Sequence, residues 1–353
     1  MPSHKLLSAA KKCPRCGNVR PRFEPVPDSP GIVRCSQVIS DSPFEECDFE
    51  GPDSILQLPF VRIGASGLPS FGQTTWNFVS HVRLWNSAEL PGRRFSRLDW
   101  WKGNEAADRQ YEDQLIRWNS VATQTHRRDA YWSLASTRGL WGWPRNFILS
   151  VEDFPGEYVS RASLEDASVC HLLDCDAFVL FVDPTKNLGE YGQSAYEHFV
   201  AQWKVYRQST QRQRLDTPVA LAVPKLDLLL GCVPEPVRNR AERLVRQLRA
   251  SGPMNEATNL AAIRHRHELT LELSRGVFPL QDIASLFEVE VGAERVRVFP
   301  VATLGWSDLP LEDRFPQGRS WQAHRYLLEH AFGILDPLLW TLDQVGLRRL
   351  PQR

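Results

Sequence analysis

This chain has no excess of charge, no apolar run long enough to cross a membrane and no N-terminal stretch that reads as a signal peptide. Its 42 basic and 42 acidic side chains cancel, so no global field draws it to nucleic acid or to anionic lipid. The basic clusters Lys11-Lys12, Arg93-Arg94 and Arg127-Arg128 are short and read as solvated surface. The longest apolar run, residues 177–182, falls far short of the roughly 20 residues a membrane helix needs. Residues 6–10 are too short for a signal-peptide core, and Lys11 and Lys12 lie on the wrong side of them. The stretch 326–342 is apolar but carries Glu329, His330 and Asp336, the pattern of an amphipathic packing helix. These absences predict a cytoplasmic protein with no membrane partner.

A more pointed absence lies in the chain itself. Residues 67–74 read GLPSFGQT. The spacing is that of a phosphate-binding loop, G-x-x-x-x-G-K-[ST], but Gln73 stands where the lysine belongs. That lysine neutralises the β- and γ-phosphates of a nucleotide. The residues before the loop, 55–63, read as a strand, and 74–85 has helical spacing through Trp76, Val79, Val82 and Trp85. Strand, glycine-rich loop and helix are the context a phosphate loop requires.

Seven cysteines are present, and four of them, Cys13, Cys16, Cys35 and Cys47, crowd the N-terminal part. In a reducing compartment such a cluster predicts a metal site rather than disulfides. Cys13-Pro-Arg-Cys16-Gly17 has the spacing of a zinc knuckle, with both sulfurs turned toward one tetrahedral ion. Cys35 and Cys47 would complete a structural four-cysteine zinc ribbon over residues 1–51, with an inserted polar loop between them; His4 is a weaker substitute. Four thiolates leave no open position for substrate. Lys11, Lys12, Arg15, Arg20 and Arg22 near the first knuckle hint at nucleic acid. Cys170, Cys175 and Cys232 sit in apolar surroundings and read as small buried hydrophobes.

Residues 52–353 alternate short apolar strands with helical patterns. Strands are predicted over 147–151, 177–182, 219–223 and 296–301. Helices are predicted over 158–173, 191–206, 235–248 and 321–342. This alternation predicts an α/β domain with a mostly parallel sheet sandwiched by helices. Residues 88–146 form a long insertion, with a helix predicted over 105–121 and an edge strand over 131–135. It carries Trp100, Trp101, Trp118, Trp132, Trp141 and Trp143. Core packing and a partner-binding surface are both open for these indoles.

Ligands of open α/β sheets sit at the carboxyl ends of the strands, and those ends carry a series. Gly67, Gly72, Gln73, Thr74 and Thr75 follow the first strand, offering backbone N–H groups and a helix N-terminus to an anion. Thr74 is placed to ligate Mg²⁺. Asp153-Phe-Pro-Gly156-Glu157 follows the 147–151 strand; Asp153 can hold the magnesium shell, and the Gly156 N–H can face a γ-phosphate. Pro224-Lys225-Leu-Asp227 follows the 219–223 strand, where Asp227 can accept the guanine N1 and N2 protons and the Lys225 stem can cover the base. Ala302, after the last strand, can offer its N–H to the guanine oxygen.

With these four motifs in order, GLPSFGQT, DFPG, PKLD and VAT, the chain resembles the translation-factor-like and Ras-like P-loop GTPases over about residues 55–305. DFPGE, FVDPT at 181–185 and DPLLW at 336–340 resemble more narrowly the bacterial double-GTPase families of predicted biological-conflict systems, which often carry an N-terminal zinc ribbon. That resemblance implies GTP or GDP with Mg²⁺, structural Zn²⁺, and protein partners such as a second GTPase or an effector. It also implies a switch threonine in the insertion, Thr125 with Thr123 as the alternative; Glu157, a weak catalytic candidate, stands where many such GTPases have a water-positioning glutamine.

The departures point one way. Gln73 removes a charge whose value is greatest in the transition state. Pro224 replaces the Asn or Thr that braces the loop, and Pro69 and Phe71 add bulk to it. Arg127 or Arg128 is the candidate substitute cation. Three functions follow: a degenerate GTPase-fold subunit acting as scaffold or regulatory partner, a slow Mg²⁺-dependent GTPase, or a zinc-ribbon nucleic-acid adaptor.

Overall fold

The computed structural model describes residues 13, 22–36, 49–53, 58–68, 72–86, 93–97, 129–138, 144–160, 163–165, 167–183, 189–209, 217–225, 233–250, 260–275, 280–302, 331 and 333–345. Among them, three short strands, β1 (Phe23–Pro25), β2 (Ile32–Cys35) and β3 (Glu50–Pro52), form a small antiparallel sheet in the order β1-β2-β3. Asp28 and Gly31 turn the chain between β1 and β2 with φ of 60° and 78°. These are left-handed values that Gly and Asp adopt at least cost.

The larger sheet begins with β4 (Phe60–Gly67), which leads into α1 (Gln73–Asn86). Then come β5 (Arg93–Arg97), β6 (Asp129–Arg138) and β7 (Pro144–Asp153). Two short helices, α2 (Glu157–Ser160) and α3 (Ala167–Leu173), precede β8 (Ala177–Phe181). The rest alternates α4 (Gly189–Ser209), β9 (Val219–Pro224), α5 (Glu235–Ala250), α6 (Leu260–Ser274), α7 (Leu280–Val291), β10 (Val296–Val301) and α8 (Asp336–Gln344). The strand order is β10-β9-β8-β4-β7-β6-β5. The five strands from β10 to β7 are parallel, and β6 and β5 add an antiparallel edge. The fold is mixed α/β with a mostly parallel sheet.

Burial explains that order. Every residue of β8 and β9 is buried, as expected of parallel strands covered on both faces. Phe178 meets Phe199 and Trp203 of α4 edge-on, at 5.8 and 5.1 Å between centroids. On β10, Phe299 packs on Trp340 of α8 at 5.7 Å. Trp76 of α1 lies edge-on to Phe181 at 5.2 Å, and its indole N–H donates to the Ile334 carbonyl at 2.8 Å. A buried indole with its donor satisfied anchors α1 against the C-terminal segment. Buried ion pairs among the described residues include Arg62 with Glu152 at 2.9 Å, Arg207 with Glu290 at 3.3 Å, and Arg266 with Asp336.

Several boundaries differ from the sequence pattern. The first strand runs Phe60–Gly67, through the small residues that looked like loop. Gly64 pairs with Glu152 on one side and Phe178 on the other, and a Cβ there would come within 2.8 Å of the Leu172 side chain, so the strand runs through a glycine. The helix predicted over 158–173 is two pieces, and the Ser163 hydroxyl accepts the Glu165 N–H at 3.3 Å in the turn between them. The last helix starts at Asp336, after Gly333 at φ 62° and with proline in its first turn. The 131–135 edge strand lies within the longer β6. The predicted 105–121 helix and the tryptophans other than Trp132 in the insertion lie outside the described residues. Helices α6 and α7 were absent from the sequence reading.

Candidate functional site

The sheet changes direction at its centre. From β4 the chain goes to the β7 side, and from β7 it returns across β4 to β8 and on to β9. In open α/β sheets the crevice beyond the strand ends at such a switch point is where ligands bind. The predicted loop at the end of β4 and the ends of its neighbours β7 and β8 border it.

Gly67 closes β4 and faces Phe181 across the parallel ladder. A Cβ on it would lie 2.8 Å from both the Phe181 Cβ and its carbonyl oxygen. The glycine is therefore required by the approach of two strands. Gly67→Ala is expected to cost about 1–3 kcal/mol as overpacking. Thermal unfolding measures this, and an unchanged melting temperature would place β4 and β8 further apart. Gly72 has φ 82° with open space at its Cβ position, and its carbonyl accepts the Trp76 N–H at 3.0 Å, the opening bond of α1. Its role is the turn into the helix. Pro69 and Phe71 lie outside the described residues.

Gln73 is the first residue of α1 and is only 6% exposed. Its side-chain amide N–H donates to the Phe154 carbonyl at 2.9 Å, and its Oε1 is buried with no hydrogen-bond partner. The same carbonyl receives the Ser66 hydroxyl at 3.4 Å, and the Phe154 N–H donates to the Ala65 carbonyl at 2.9 Å. At position 73, then, a neutral side chain is turned inward and ties the start of α1 to the end of β7.

Thr74 and Asp153 do meet. The threonine hydroxyl donates to Asp153 Oδ2 at 2.5 Å, and Asp153 is fully buried at the end of β7. These are the hard oxygen donors a magnesium ion accepts, close enough to serve one ion or each other. Thr75 is half-buried on the same turn, Gly156 is buried, and Glu157 opens α2 half-buried. Ala302, 5% exposed, follows β10 directly. Asp227, Thr125, Thr123, Arg127 and Arg128 lie outside the described residues.

Lys225 follows β9 with φ 55°, a left-handed backbone unusual for a lysine. Its Nζ sits 2.5 Å from Oδ2 of Asp183, which is fully buried. Asp183 stands just past β8, and the sequence reading placed it only inside the FVDPT match. An acid directly after an all-apolar strand was the available signal. Nearby, the Tyr196 hydroxyl donates to the Phe181 carbonyl at 2.5 Å. Burial, and then the Asp183 charge, hold that hydroxyl far above its ordinary pKa, so it stays a donor.

Of the predicted zinc ligands, Cys13 and Cys35 are described, and both are buried, at 1% and 0% exposure; Cys16 and Cys47 lie outside the described residues. Among the described residues no group of three or more His, Cys, Asp or Glu side chains could hold a metal ion. Cys175 is also buried, and burial pushes its thiol well up, which makes it inert. No helix among the described residues is long and apolar enough to cross a membrane.

No family model and no curated protein matches this chain. Among solved structures it is similar to the cytosolic domain of L. pneumophila FeoB, with 16% identity over 48% of this chain and 47% of that one, and a TM-score of 0.19. The chain spans about half the length of that structure.

Proposed function

We propose that this chain is a degenerate GTPase-fold subunit that binds guanine nucleotide weakly or not at all and serves as scaffold or regulatory partner in a bacterial conflict assembly. One observation carries the reading: Gln73, at the position of the phosphate lysine, is neutral, buried and bonded to the Phe154 carbonyl. A triphosphate at this loop would find helix-dipole and backbone donors but no cation from that position. The conflict setting and the partner GTPase or effector follow from the motif resemblance. A structural zinc ion on Cys13, Cys16, Cys35 and Cys47 belongs to the same reading. Calorimetric titration with GTP and Mg²⁺ tests it. Submicromolar affinity would overturn it.

A slow, Mg²⁺-dependent GTPase is the second reading, favoured by the intact Thr74–Asp153 pair. Those two side chains would hold the ion, whose chemistry is to neutralise charge on the phosphates. This reading requires GTP turnover in the unaltered chain that disappears in Asp153→Ala.

A further inference from the structure

We propose that His267 is an acid-released latch: its neutral ring closes the outer edge of the main sheet at β10, and protonation opens that edge. The inference is independent of the nucleotide reading above.

Among the described strands β10 ends the sheet and pairs only with β9. An edge strand turns a row of backbone N–H and C=O groups outward, where another chain could pair with them. Here that row is met from within the protein. The Val298 N–H donates to Nδ1 of His267 at 2.9 Å, so residue 298 faces away from β9. Alternate residues of a strand turn the same way, which places 296 and 300 outward with it. At 296, Nη1 of Arg297 donates to the carbonyl at 2.6 Å, and also to the Ala293 carbonyl at 2.6 Å. At 300 stands a proline, which has no N–H to offer. A Cβ on Gly333 would collide with the Pro300 carbonyl, so the chain at 333 lies against it.

Of these closures, the one at 298 depends on a group that titrates. His267 is half-buried on α6, which packs along β10. A backbone N–H can only donate, so Nδ1 is the acceptor and the neutral ring carries its proton on Nε2. A second proton would sit on Nδ1 and set N–H against N–H. Burial first, and then the Arg297 charge, push the His267 pKa down to about 4 from its ordinary 6.5. Arg264 of α6, Glu288 of α7 and Glu294 of the turn before β10 act in turn on Arg297. On the other elements that meet α6, Arg240 of α5 is paired with Glu272, and Asp336 of α8 with Arg266. Because the closed form disfavours the proton, the latch holds fully above pH 6.5 and weakens as pH falls toward 4. The opening equilibrium should shift about tenfold per pH unit across that window.

The test is amide hydrogen exchange of the full chain, read residue by residue by NMR and corrected for the chemical rate at each pH. Protection at Val298 is expected to fall about 100-fold between pH 6.5 and 4.5, while Leu221 of β9 holds. An unchanged Val298, or a fall that Leu221 shares equally, overturns the inference. At pH 7, His267→Lys, a fixed cation with no acceptor, should lower Val298 protection at least tenfold. His267→Gln, whose amide oxygen can accept the same N–H, should keep the protection and abolish its pH dependence. Equal loss in both variants would mean that the ring only fills space, which also overturns the latch. Should His267→Lys not fold, the pH profiles of the unaltered chain and His267→Gln decide: a profile shared by both refutes the latch, and a steep one confined to the unaltered chain supports it.

Discussion

Glu152→Ala is expected to destabilise the chain by about 3–5 kcal/mol, the cost of leaving one member of a buried ion pair alone. Arg62 and Glu152 are 3% and 1% exposed, and the guanidinium meets the carboxylate twice, at 2.9 and 3.3 Å. Asp174 approaches the same guanidinium at 3.5 Å, with its side chain 15% exposed. Burial is the largest single influence and works against the Arg62 charge, but its partners together, Glu152 foremost and then Cys175 and Asp174, outweigh it and hold the arginine above its ordinary range. Glu152 precedes Asp153, and Arg62 lies on β4, five residues before Gly67. The pair therefore sets how β7 and β4 lie against each other just below the candidate site. The melting temperature should fall on the order of 5–10 °C. The double variant Arg62→Met/Glu152→Leu should recover most of the loss, because an apolar pair of similar volume replaces a buried ion pair at little cost. A single variant that melts like the parent would show that Asp174 alone supports Arg62.

Gln73→Lys is expected to strengthen GTP binding about 10–100-fold. A hydrogen bond to a charged group contributes about 1.5–3 kcal/mol, and each 1.4 kcal/mol is a factor of ten. The same change removes the amide donor from the Phe154 carbonyl. That carbonyl keeps only the longer Ser66 contact at 3.4 Å, so the start of the 154–160 segment should exchange its amide hydrogens faster. Gained affinity together with faster exchange indicates that the amide stood in for a charged group and also fastened the segment. Faster exchange alone indicates a pocket closed elsewhere, for which Pro69, Phe71 and Pro224 are the residues to vary.

Much of the parallel core was legible because buried parallel strands are short, continuous and β-branched. Residues 177–181, 219–224 and 296–301 appear as strands nearly as the pattern predicts. The strand-end motifs were legible for the same reason, since each directly follows such a run. The start of the fold was harder. Gly64, Ala65, Ser66 and Gly67 are loop-like by composition, yet pairing with β7 on one side and β8 on the other holds them in a strand. Helix α6 was hidden by Arg264, His265, Arg266, His267 and Glu268, a polar run that masks its apolar period; Arg266 is nonetheless buried against Asp336 of α8. No local pattern could announce an ion pair between residues 70 positions apart.

At the candidate site, sequence spacing predicts a phosphate loop over residues 67–74 with Gln73 in place of its lysine. The direction of the Gln73 amide and the pairing of Lys225 with Asp183 depend on contacts between strands that are distant in the chain. They make the site more self-contained than its motifs alone suggest, because side chains that would meet a ligand are already bonded within the protein.

The central measurement is a matched pair of calorimetric titrations of GTP with Mg²⁺ into the unaltered chain and into Gln73→Lys at one salt concentration. A loop disabled by its lost charge gives weak or undetectable binding in the first and at least tenfold tighter binding in the second. Submicromolar binding by the unaltered chain, or equal affinities in the two, contradicts it.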